Sequence, residues 1–348
     1  MKVPALRRDE VRSVIEGRGA ARRVPVLLHF WTHPEAFGDR TPAVRSLMGE
    51  FVEDVQAIGI RMPGVSDAPP EDIGYRWLRG APGEAGAALD AQALISDWDQ
   101  LDAILADFPD PRSPVMLPDN PAPDGRYRLA GWWYCLFERH WSLRGMTNAL
   151  MDFFTDPDKV HRLYRALTDF YLGVIDRVGN ELRADGVLTS DDIGMQTGPF
   201  FRETIFDEFF APYYRELADR AHARGMHFWL HACGNIEPFL PRLIDLGLDV
   251  IHPIQKYAMD ERRIAALHGS RICVWAGFDV QRIIPFGTPA EVRAEVRHLM
   301  DTWHRPEGRA MFTAGNGING DCPVESLRAL YEEAYEYGRT IVEKVRGK

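Results

Sequence analysis

This sequence has no excess of basic residues, which argues against the classes of partner that are bound through them. The 348 residues include 41 Lys and Arg but 51 Asp and Glu, so the net charge at pH 7 is −10. Binding of nucleic acid or of an anionic membrane surface depends on clustered Lys and Arg. We therefore expect no nucleic acid and no membrane among the partners, and a small-molecule substrate instead.

Long apolar runs, a leader segment and a phosphate-binding loop are missing as well. No run approaches the roughly 18 apolar residues of a membrane span, and the N-terminus has no apolar signal core. The glycine-rich segment 315–320 lacks the Lys-Ser/Thr pair that completes a phosphate loop. These absences argue against an integral membrane protein and a secreted protein, and they favour a cytoplasmic location.

Cysteine is scarce, with 4 residues at positions 135, 233, 273 and 322. Cysteines so far apart in a reducing cytosol are more often thiols or metal ligands than disulfides. Cys135 and Cys273 lie within apolar runs, which predicts small buried side chains. Cys233 and Cys322 follow predicted strands and are the candidates for chemistry.

What the sequence does contain is an alternation of apolar runs and amphipathic segments. Eight apolar runs predict strands, at 25–30, 58–62, 129–134, 187–191, 226–231, 248–252, 272–276 and 310–314. Amphipathic segments predict helices at 159–183, 202–224, 236–246, 261–268, 289–303 and 325–345. This alternation is typical of a parallel sheet covered by helices, and eight strands in this length favour a TIM-like (β/α)8 barrel of the α/β class.

We predict one domain over residues 1–348, with an irregular N-terminal third. Residues 1–120 form the less regular part. The segment 64–123, rich in Pro, Gly and Asp, is expected to form loops and short helices over one mouth of the barrel. No clean internal repeat and no domain-boundary linker interrupt the pattern. The oligomeric state stays open, with a homodimer as one option.

Polar and metal-binding residue types cluster where the predicted strands end. In barrels of this kind the reacting groups lie at the C-terminal ends of the strands. The residues at those ends include His29, His33, Asp191, Asp192, Gln196, His231, Cys233, His252, Gln255, Asp279, Gln281, Asn316 and Cys322. So many separate strand ends with such residues are hard to explain by packing alone.

The segment His231-Ala-Cys-Gly-Asn235 is the most informative of these strand ends. Alternate residues of a strand point to the same side, so the imidazole of His231 and the thiol of Cys233 should project together. They could supply two ligands of a zinc site. For an isolated His-x-Cys, a core histidine beside a buried cysteine is the commoner arrangement, and the other strand ends shift the balance towards metal.

Two adjacent acids, Asp191 and Asp192, end the fourth predicted strand. Because neighbours on a strand point to opposite faces, at most one of them enters the barrel mouth. There it could act as a catalytic acid or base, or orient His231. The other is expected to cap a loop.

Side chains that would contact a substrate come from several strand ends. The aromatic residues of the segment 24–33 and Trp133 could line an apolar pocket for an aryl group, or belong to the core. The glutamines could hydrogen-bond the substrate or serve in turns and caps. The predicted substrate-binding set is His29, Trp31, Trp133, Gln196, Gln255, Asp279 and Asn316.

Six motifs carry a resemblance to a known family. They lie at 190–198, 206–214, 231–235, 246–255, 276–281 and 315–325. Through these motifs, in family order, the sequence resembles the uroporphyrinogen decarboxylase superfamily. That superfamily includes zinc-dependent methyltransferases that move methyl groups between corrinoid proteins and thiols. The resemblance implies a single TIM-like barrel with its cleft at the C-terminal mouth.

One departure separates the sequence from the decarboxylase that names the superfamily. That enzyme has an Arg-rich N-terminal segment that holds the acidic side chains of its porphyrinogen, whereas residues 24–33 here are apolar and aromatic with two His. A substrate with many carboxylates needs several cations. The resemblance is therefore closer to the methyltransferase branch.

A second departure concerns the metal ligands. The methyltransferases of the superfamily bind zinc through the His-x-Cys pair and a later Cys, which implies His231 and Cys233 as ligands here. Near the position of the later Cys this sequence has Asn316, and Cys322 follows six residues on. We take Cys322 as the candidate third ligand.

These observations favour a zinc-dependent methyltransferase or demethylase, with Zn2+ on this chain and cobalamin on a corrinoid partner protein. The methyl group would pass to or from a small aromatic methoxy or thiol substrate. One alternative is a metal-independent, decarboxylase-like lyase that uses Asp191 or Asp192. Its cations could come from Arg61, Arg76, Arg139, Arg144 or Arg202. Another alternative is a barrel that binds a ligand without catalysis.

Overall fold

Eight short strands form a single parallel sheet that curls into a nearly closed barrel. The computed structural model describes residues 3–62, 93 and 95–347. The strands in this part are β1 (Val26–Leu27), β2 (Val55–Gly59), β3 (Tyr127–Trp132), β4 (Gly186–Ser190), β5 (His227–His231), β6 (Val250–His252), β7 (Cys273–Phe278) and β8 (Ala310–Ala314). Their order is β1-β8-β7-β6-β5-β4-β3-β2. The predicted TIM-like α/β barrel is confirmed, and every predicted strand overlaps an observed one.

Helices surround the sheet and follow most of its strands. In the described residues they are α1 (Arg8–Ile15), α2 (Thr41–Glu50), α3 (Leu101–Ala106), α4 (Phe137–Arg144), α5 (Met146–Thr155), α6 (Pro157–Arg177), α7 (Glu203–Ile205), α8 (Ala211–Ala223), α9 (Leu240–Asp245), α10 (Glu261–His268), α11 (Ile283–Phe286), α12 (Pro289–Trp303) and α13 (Val324–Arg346). Each predicted helix overlaps one or more of these. Of the helices described, none combines the length and the apolar character that crossing a lipid bilayer would require.

Two predicted strands differ from the observed ones by three residues at an end. β2 begins at Val55, three residues before the predicted start. The first strand does not reach residue 30, because His29–Trp31 forms a 3-10 turn in which the N–H of Trp31 donates to Leu28 O at 3.2 Å. The turn lays Trp31, which is buried, over the barrel mouth.

The predicted cover over residues 64–123 lies partly outside the described residues. Residues 63–92 and 94 belong to the part that is not described. From residue 95 onwards the chain forms the 3-10 segment Trp98–Gln100, helix α3 and the 3-10 segment Pro114–Met116. These are the short helices that the composition predicted for the second half of the segment.

Large aromatic side chains fill the barrel below its mouth. Every residue of β4, β5 and β7 is buried, as expected for strands with the barrel interior on one face and helices on the other. Trp229 and Trp275 meet edge to face, with ring centroids 5.5 Å apart. The indole N–H of Trp229 donates to the hydroxyl of Tyr127 at 3.2 Å. The polar residues at the strand ends therefore lie above a layer of aromatic side chains.

Two buried acidic side chains close the seam of the barrel between β1 and β2. The backbone N–H of Val26 donates to Asp54 Oδ2 at 2.8 Å, and that of Leu28 donates to Glu53 Oε1 at 2.9 Å. Asp54 also receives a two-pronged ion pair from Arg23, with Nη2 and Oδ1 2.6 Å apart. The side chains thus stand in for the ladder of backbone hydrogen bonds that joins the other strands.

Replacing Asp54 with Asn should destabilise the fold strongly, because it leaves the buried guanidinium of Arg23 without its counter-charge. Breaking one side of a buried pair costs about 3–5 kcal/mol. Urea unfolding at pH 7 measures the loss. The control is Asp102→Asn at the exposed pair with Arg162, where we expect a much smaller change. Equal losses in the two variants would contradict the role assigned to the seam.

Replacing Glu53 with Gln should remove a pH dependence of stability. Burial raises the pKa of Glu53 from 4.5 to about 8, against backbone hydrogen bonds from His29 and Leu28 that lower it. The folded state therefore binds this proton more tightly than the unfolded state. As a consequence, wild-type stability falls as the pH rises from about 4.5 to about 8. The Gln variant lacks this fall.

Unfolding free energies measured from pH 5 to pH 9 test this expectation. As the pH rises, the free energy of unfolding of Glu53→Gln should increase relative to that of the wild type, by on the order of a few kcal/mol across the range. The exposed Glu50, paired with Arg328, supplies the control Glu50→Gln, which should not gain in this way. A difference between Glu53→Gln and the wild type that stays constant with pH would show that Glu53 is ionised in the folded protein.

Candidate metal and substrate site

His231 and Cys233 project together from the end of β5. The Sγ atom of Cys233 lies 3.3 Å from Nε2 of His231. Gly234 follows with a φ of 80°, and its backbone packs so closely on Gly194 that a side chain would not fit. The chain therefore leaves the strand abruptly, with Cys233 held at the mouth.

A third ligand type is supplied by Asp192, which follows β4. Ser190 on β4 pairs with His231 on β5, so the residue two positions after Ser190 comes level with Cys233. Asp192 Oδ1 accepts the backbone N–H of Cys233 at 2.7 Å and lies 3.7 Å from His231 Nε2. Within the described residues, Asp192, His231 and Cys233 form a group whose candidate ligand atoms all lie within 4.8 Å of one another. We call these three residues the ligand group.

The three side chains fit a tetrahedral zinc site with one open position. Zinc binds N, O and S at about 2.0–2.3 Å, which separates two tetrahedral ligand atoms by about 3.5 Å. The observed separations of 3.3 Å and 3.7 Å lie on either side of that value. Three protein ligands and one open position are typical of catalytic zinc, since the substrate takes the fourth place.

Burial decides the protonation states of His231 and Cys233 in the metal-free protein. It raises the pKa of the Cys233 thiol, and the carboxylate of Asp192 adds to the effect. It lowers the pKa of His231, a shift that Asp192 partly opposes. The protein alone thus holds a neutral imidazole beside a protonated thiol, and metal binding would displace the thiol proton.

A second histidine lies directly behind the first. Nδ1 of His252, on β6, is 2.6 Å from Nδ1 of His231, and Nε2 of His252 is 2.9 Å from the carbonyl oxygen of Ala314. His252 is fully buried, and burial together with His231 holds its pKa well below the usual range. The strand-end position of His252 was the available signal for its place in the site.

Asp191 anchors helix α4 rather than facing the ligand group. Its carboxylate accepts the backbone N–H groups of residues 136–138 at 2.8–3.1 Å and the hydroxyl of Tyr214 at 2.6 Å. Burial raises the pKa of Asp191 to about 6, against these hydrogen bonds. Of the two adjacent acids, Asp192 is therefore the one at the mouth, and the contacts of Asp191 are those of a helix cap.

Glu138, for which the sequence suggests an ordinary rim ion pair with Arg139, is a buried acid. Its carboxylate accepts the hydroxyl of Ser190. Burial raises its pKa well above the usual range, and the neighbouring charges of Asp192 and Asp191 raise it further. The residue lies in the first turn of α4, soon after the end of β3.

Two tryptophans form a wall beside the ligand group. Trp31 lies flat on His252, with ring centroids 4.9 Å apart and planes 11° apart. Trp133 meets His231 edge-on at 5.7 Å. Because Trp133 is 41% exposed, the wall extends from the ligands to solvent.

His29 is not brought to this wall. Its ring lies 5.6 Å from that of Tyr331, and its Nε2 lies 4.0 Å from Glu53 at the seam. Burial lowers the pKa of His29 to about 4. A continuous strand would have pointed His29 and Trp31 to the same side, and the 3-10 turn separates them.

A pocket of about 50 Å3 opens beside Cys233. Gln255, Asp279 and Asn316 line it, so three of the predicted substrate contacts lie at one cavity. Asn316 Nδ2 lies 3.5 Å from Cys233 Sγ. Gln255 Oε1 accepts the N–H of Gly234 at 2.6 Å, which leaves its amide N–H groups for a ligand.

Asp279 and Gln196 have contacts that shape loops. The carboxylate of Asp279 accepts the backbone N–H groups of residues 281–283 at 2.9–3.3 Å and the hydroxyl of Tyr257 at 3.1 Å. Gln196 is exposed, lies outside the pocket lining and donates to Tyr257 O at 2.9 Å. Of the two, only Asp279 also borders the pocket.

Cys322 is not brought to the ligand group. It is buried, with Sγ 3.4 Å from Pro323 O and 3.8 Å from Ile284 O. The loop after β8 brings Asn316 to the site and carries Cys322, six residues on, to the outer helices α11 and α13. We therefore correct the candidate third ligand from Cys322 to Asp192.

None of the described arginines that a lyase could use lines the pocket beside Cys233. Arg144 is buried in an ion pair with Asp152 at 2.8 Å. Arg139, also buried, holds its guanidinium 5.3 Å from the centroid of a tyrosine ring. The remaining three are exposed or lie outside the described residues, namely Arg61, Arg202 and Arg76.

The chain is similar to proteins of known family and structure. Residues 140–337 match the family model described as uroporphyrinogen decarboxylase (URO-D). A methyltransferase from Methanosarcina mazei superposes with a TM-score of 0.58 at 15% identity, over 94% of this chain and 98% of its own. An intracellular xylanase from Thermoanaerobacterium saccharolyticum aligns over 91% of each chain, with a TM-score of 0.41 and 11% identity. No curated protein matches the sequence.

In protein stripped of metal, Cys233 should react slowly with iodoacetamide at pH 8, because the thiolate is the nucleophile and its formation is suppressed. Asp192→Asn keeps the oxygen that accepts the Cys233 N–H but removes the charge. We expect alkylation of Cys233 to become about threefold to tenfold faster. Peptide mass spectrometry assigns the modified cysteine. Asp192→Glu, which retains the charge, should stay slow, and equal rates for Asn and wild type would contradict the coupling.

Proposed function

The chain belongs to the uroporphyrinogen decarboxylase family, and we propose that within it this protein is a zinc-dependent methyltransferase or demethylase. It would move a methyl group between a small substrate and the cobalamin of a corrinoid partner protein. The observation that carries the proposal is the meeting of Asp192, His231 and Cys233 at the barrel mouth, with one coordination position open.

The position of the ligand group indicates where in the barrel the reaction would take place. Asp192, His231 and Cys233 would hold the zinc, and the pocket beside Cys233 would hold the methyl-bearing end of the substrate. A zinc ion held there would lower the pKa of a substrate thiol or polarise the oxygen of a methyl ether. Asn316 Nδ2, 3.5 Å from Cys233 Sγ, borders both the ligand group and the pocket.

Glu138 is the residue suited to handle a proton during the transfer. Burial raises the pKa of its carboxyl, which lies close to Asp192 and in hydrogen-bond contact with Ser190. A carboxyl with a raised pKa could give a proton to a departing phenolate or thiolate and take it back in the reverse direction. Of its two acidic neighbours, Asp191 is committed to the helix cap and Asp192 to the ligand group.

The dimensions and lining of the pocket support a small substrate with an apolar part. A volume of about 50 Å3 admits a small group such as methoxy or methylthio. Trp31 and Trp133 supply an apolar wall for an aryl portion outside it. We place cobalamin on a partner because the sequence has no Asp-x-His-x-x-Gly motif of the kind that ligates cobalt.

A metal-independent lyase is the second candidate, and one observation favours it. Glu138, with a raised pKa, lies close enough to Asp192 for the two charges to interact, and such a pair of acids can donate and accept protons without metal. Because none of the described candidate arginines lines the pocket beside Cys233, its substrate would carry few negative charges.

Purified protein should contain about one zinc per chain by elemental mass spectrometry. Cys233→Ala should lose the metal, and Asp192→Asn should weaken its binding about tenfold or more, because each removes one of three protein ligands. Cys322→Ala is the matched cysteine control and should keep the metal, since its thiol lies among the outer helices.

A methyl-transfer assay then tests the reaction. Reduced cobalamin serves as the acceptor, with a panel of aryl methyl ethers and methyl thioethers as donors. Zinc-loaded wild type should methylate the cobalt, and the chelator-treated protein should do so only after zinc is returned. Wild-type protein that takes up no zinc even when supplied with it would rule out the proposal and leave the lyase or a binding barrel.

A further inference from the structure

Two buried histidines and one backbone carbonyl form a continuous chain of hydrogen bonds behind the ligand group. His231 Nδ1 and His252 Nδ1 are 2.6 Å apart, and His252 Nε2 lies 2.9 Å from Ala314 O. The other ring nitrogen of His231, Nε2, lies 3.3 Å from Cys233 Sγ. These hydrogen bonds therefore run from Ala314 on β8 through His252 on β6 to His231 on β5, whose Nε2 would face a bound metal.

The direction of this chain follows from its carbonyl end. A carbonyl oxygen only accepts hydrogen bonds, so Nε2 of His252 must carry a proton. A neutral imidazole has a single N–H, so Nδ1 of His252 is then an acceptor. The proton between the two rings must therefore belong to Nδ1 of His231. That leaves Nε2 of His231 with its lone pair free, turned towards Cys233 and Asp192.

The surroundings of His252 keep the ring neutral. Its relative exposure is 1%, and its ring lies between those of Trp31 and Trp275, at 4.9 Å and 4.5 Å. In the part of the chain that the structure describes, its hydrogen-bond partners are His231 and Ala314, and neither is a carboxylate. A charged imidazole there would be buried without a counter-ion, which is costly.

We propose that His252 is a positioning residue that fixes the tautomer of His231, so that Nε2 of His231 is always the free nitrogen presented at the barrel mouth. The inference rests on the proposed function only in naming zinc as the group that would use this nitrogen. The arrangement of protons exists in the metal-free protein and can be tested there.

The same strand end orients two parts of the site. Ala314 is the last residue of β8, and Asn316, two residues further, places its Nδ2 3.5 Å from Cys233 Sγ. The carbonyl that sets the tautomer of His231 and the amide that contacts Cys233 thus come from one short segment. His252 links that segment to β5, because His231 and His252 are paired in register on neighbouring strands.

An imidazole in this position differs from the usual partner of a metal-binding histidine. Such histidines mostly donate their second N–H to a carboxylate, a backbone carbonyl or water. Here the acceptor is the neutral ring of His252, which in turn donates a hydrogen bond to the carbonyl oxygen of Ala314. Within the described residues this contact adds no negative charge behind His231, so the negative charge facing a metal would come from Cys233 and Asp192.

Three variants separate the tautomer effect from general damage. His252→Phe keeps a flat ring under Trp31 and removes the acceptor. His252→Gln restores both functions, since its side-chain oxygen can accept from His231 Nδ1 and its nitrogen can donate to Ala314 O. His227→Gln is the matched control, because His227 is a buried histidine at the opposite end of β5.

Nitrogen-15 NMR of the metal-free protein reads the tautomer directly. With 11 histidines in the chain, the signals are assigned by single replacement. In wild type we expect His231 protonated at Nδ1 and His252 protonated at Nε2. In His252→Phe, His231 should shift towards the Nε2-protonated form, and in His252→Gln and His227→Gln it should stay as in wild type. Wild-type His231 protonated at Nε2, or no shift in His252→Phe, would overturn the proposal.

Zinc affinity, measured by competition with a chromophoric chelator, gives the second readout. Loss of such a supporting contact typically weakens metal binding about tenfold to a hundredfold. His252→Phe should show this loss and His252→Gln should recover most of it, and an unchanged affinity in His252→Phe would count against the proposal. If no form binds zinc, the proposed function fails while the NMR result still decides the tautomer. Thermal unfolding of each variant confirms that the barrel is intact.

Discussion

The register of β4, β5 and β6 is the constraint on which the site depends. Ser190, His231 and His252 stand level on these three neighbouring strands. The two-residue period of a strand then sets Asp192 beside Cys233, one step further out. A slip of one residue would turn every side chain of a strand to its opposite face and would also bury the wrong half of the barrel. The packing of the whole barrel therefore protects the geometry of the ligands.

Burial determines where the protons lie in this frame. Asp191 is deeply buried, and its ionised form is supported by helix N–H groups and by Tyr214. Burial raises the pKa of Glu138, which has fewer partners, and its two acidic neighbours raise it further. The same desolvation lowers the pKa of His231 and raises that of the Cys233 thiol. One physical effect thus sets a neutral imidazole and a protonated thiol beside an acid whose pKa is raised.

Patterns between residues close in the sequence predicted much of this structure. Apolar periodicity located all eight strands, and the i, i+2 spacing brought His231 and Cys233 to one side of β5. Strand alternation also required Asp191 and Asp192 to differ in direction. It could not say which of them reaches the mouth, because the helix N-terminus that takes Asp191 comes from a segment about 53 residues earlier in the chain.

Composition and local period were enough to predict the parallel barrel, the His-x-Cys pair and the excess of acidic over basic residues. Tertiary packing was needed to show that Asp192 rather than Cys322 lies beside His231 and Cys233, that His252 lies behind His231 and that Glu138 is buried near them. These outcomes depend on strand register and on the path of the loop after β8. Both are set by packing among segments that lie far apart in the chain.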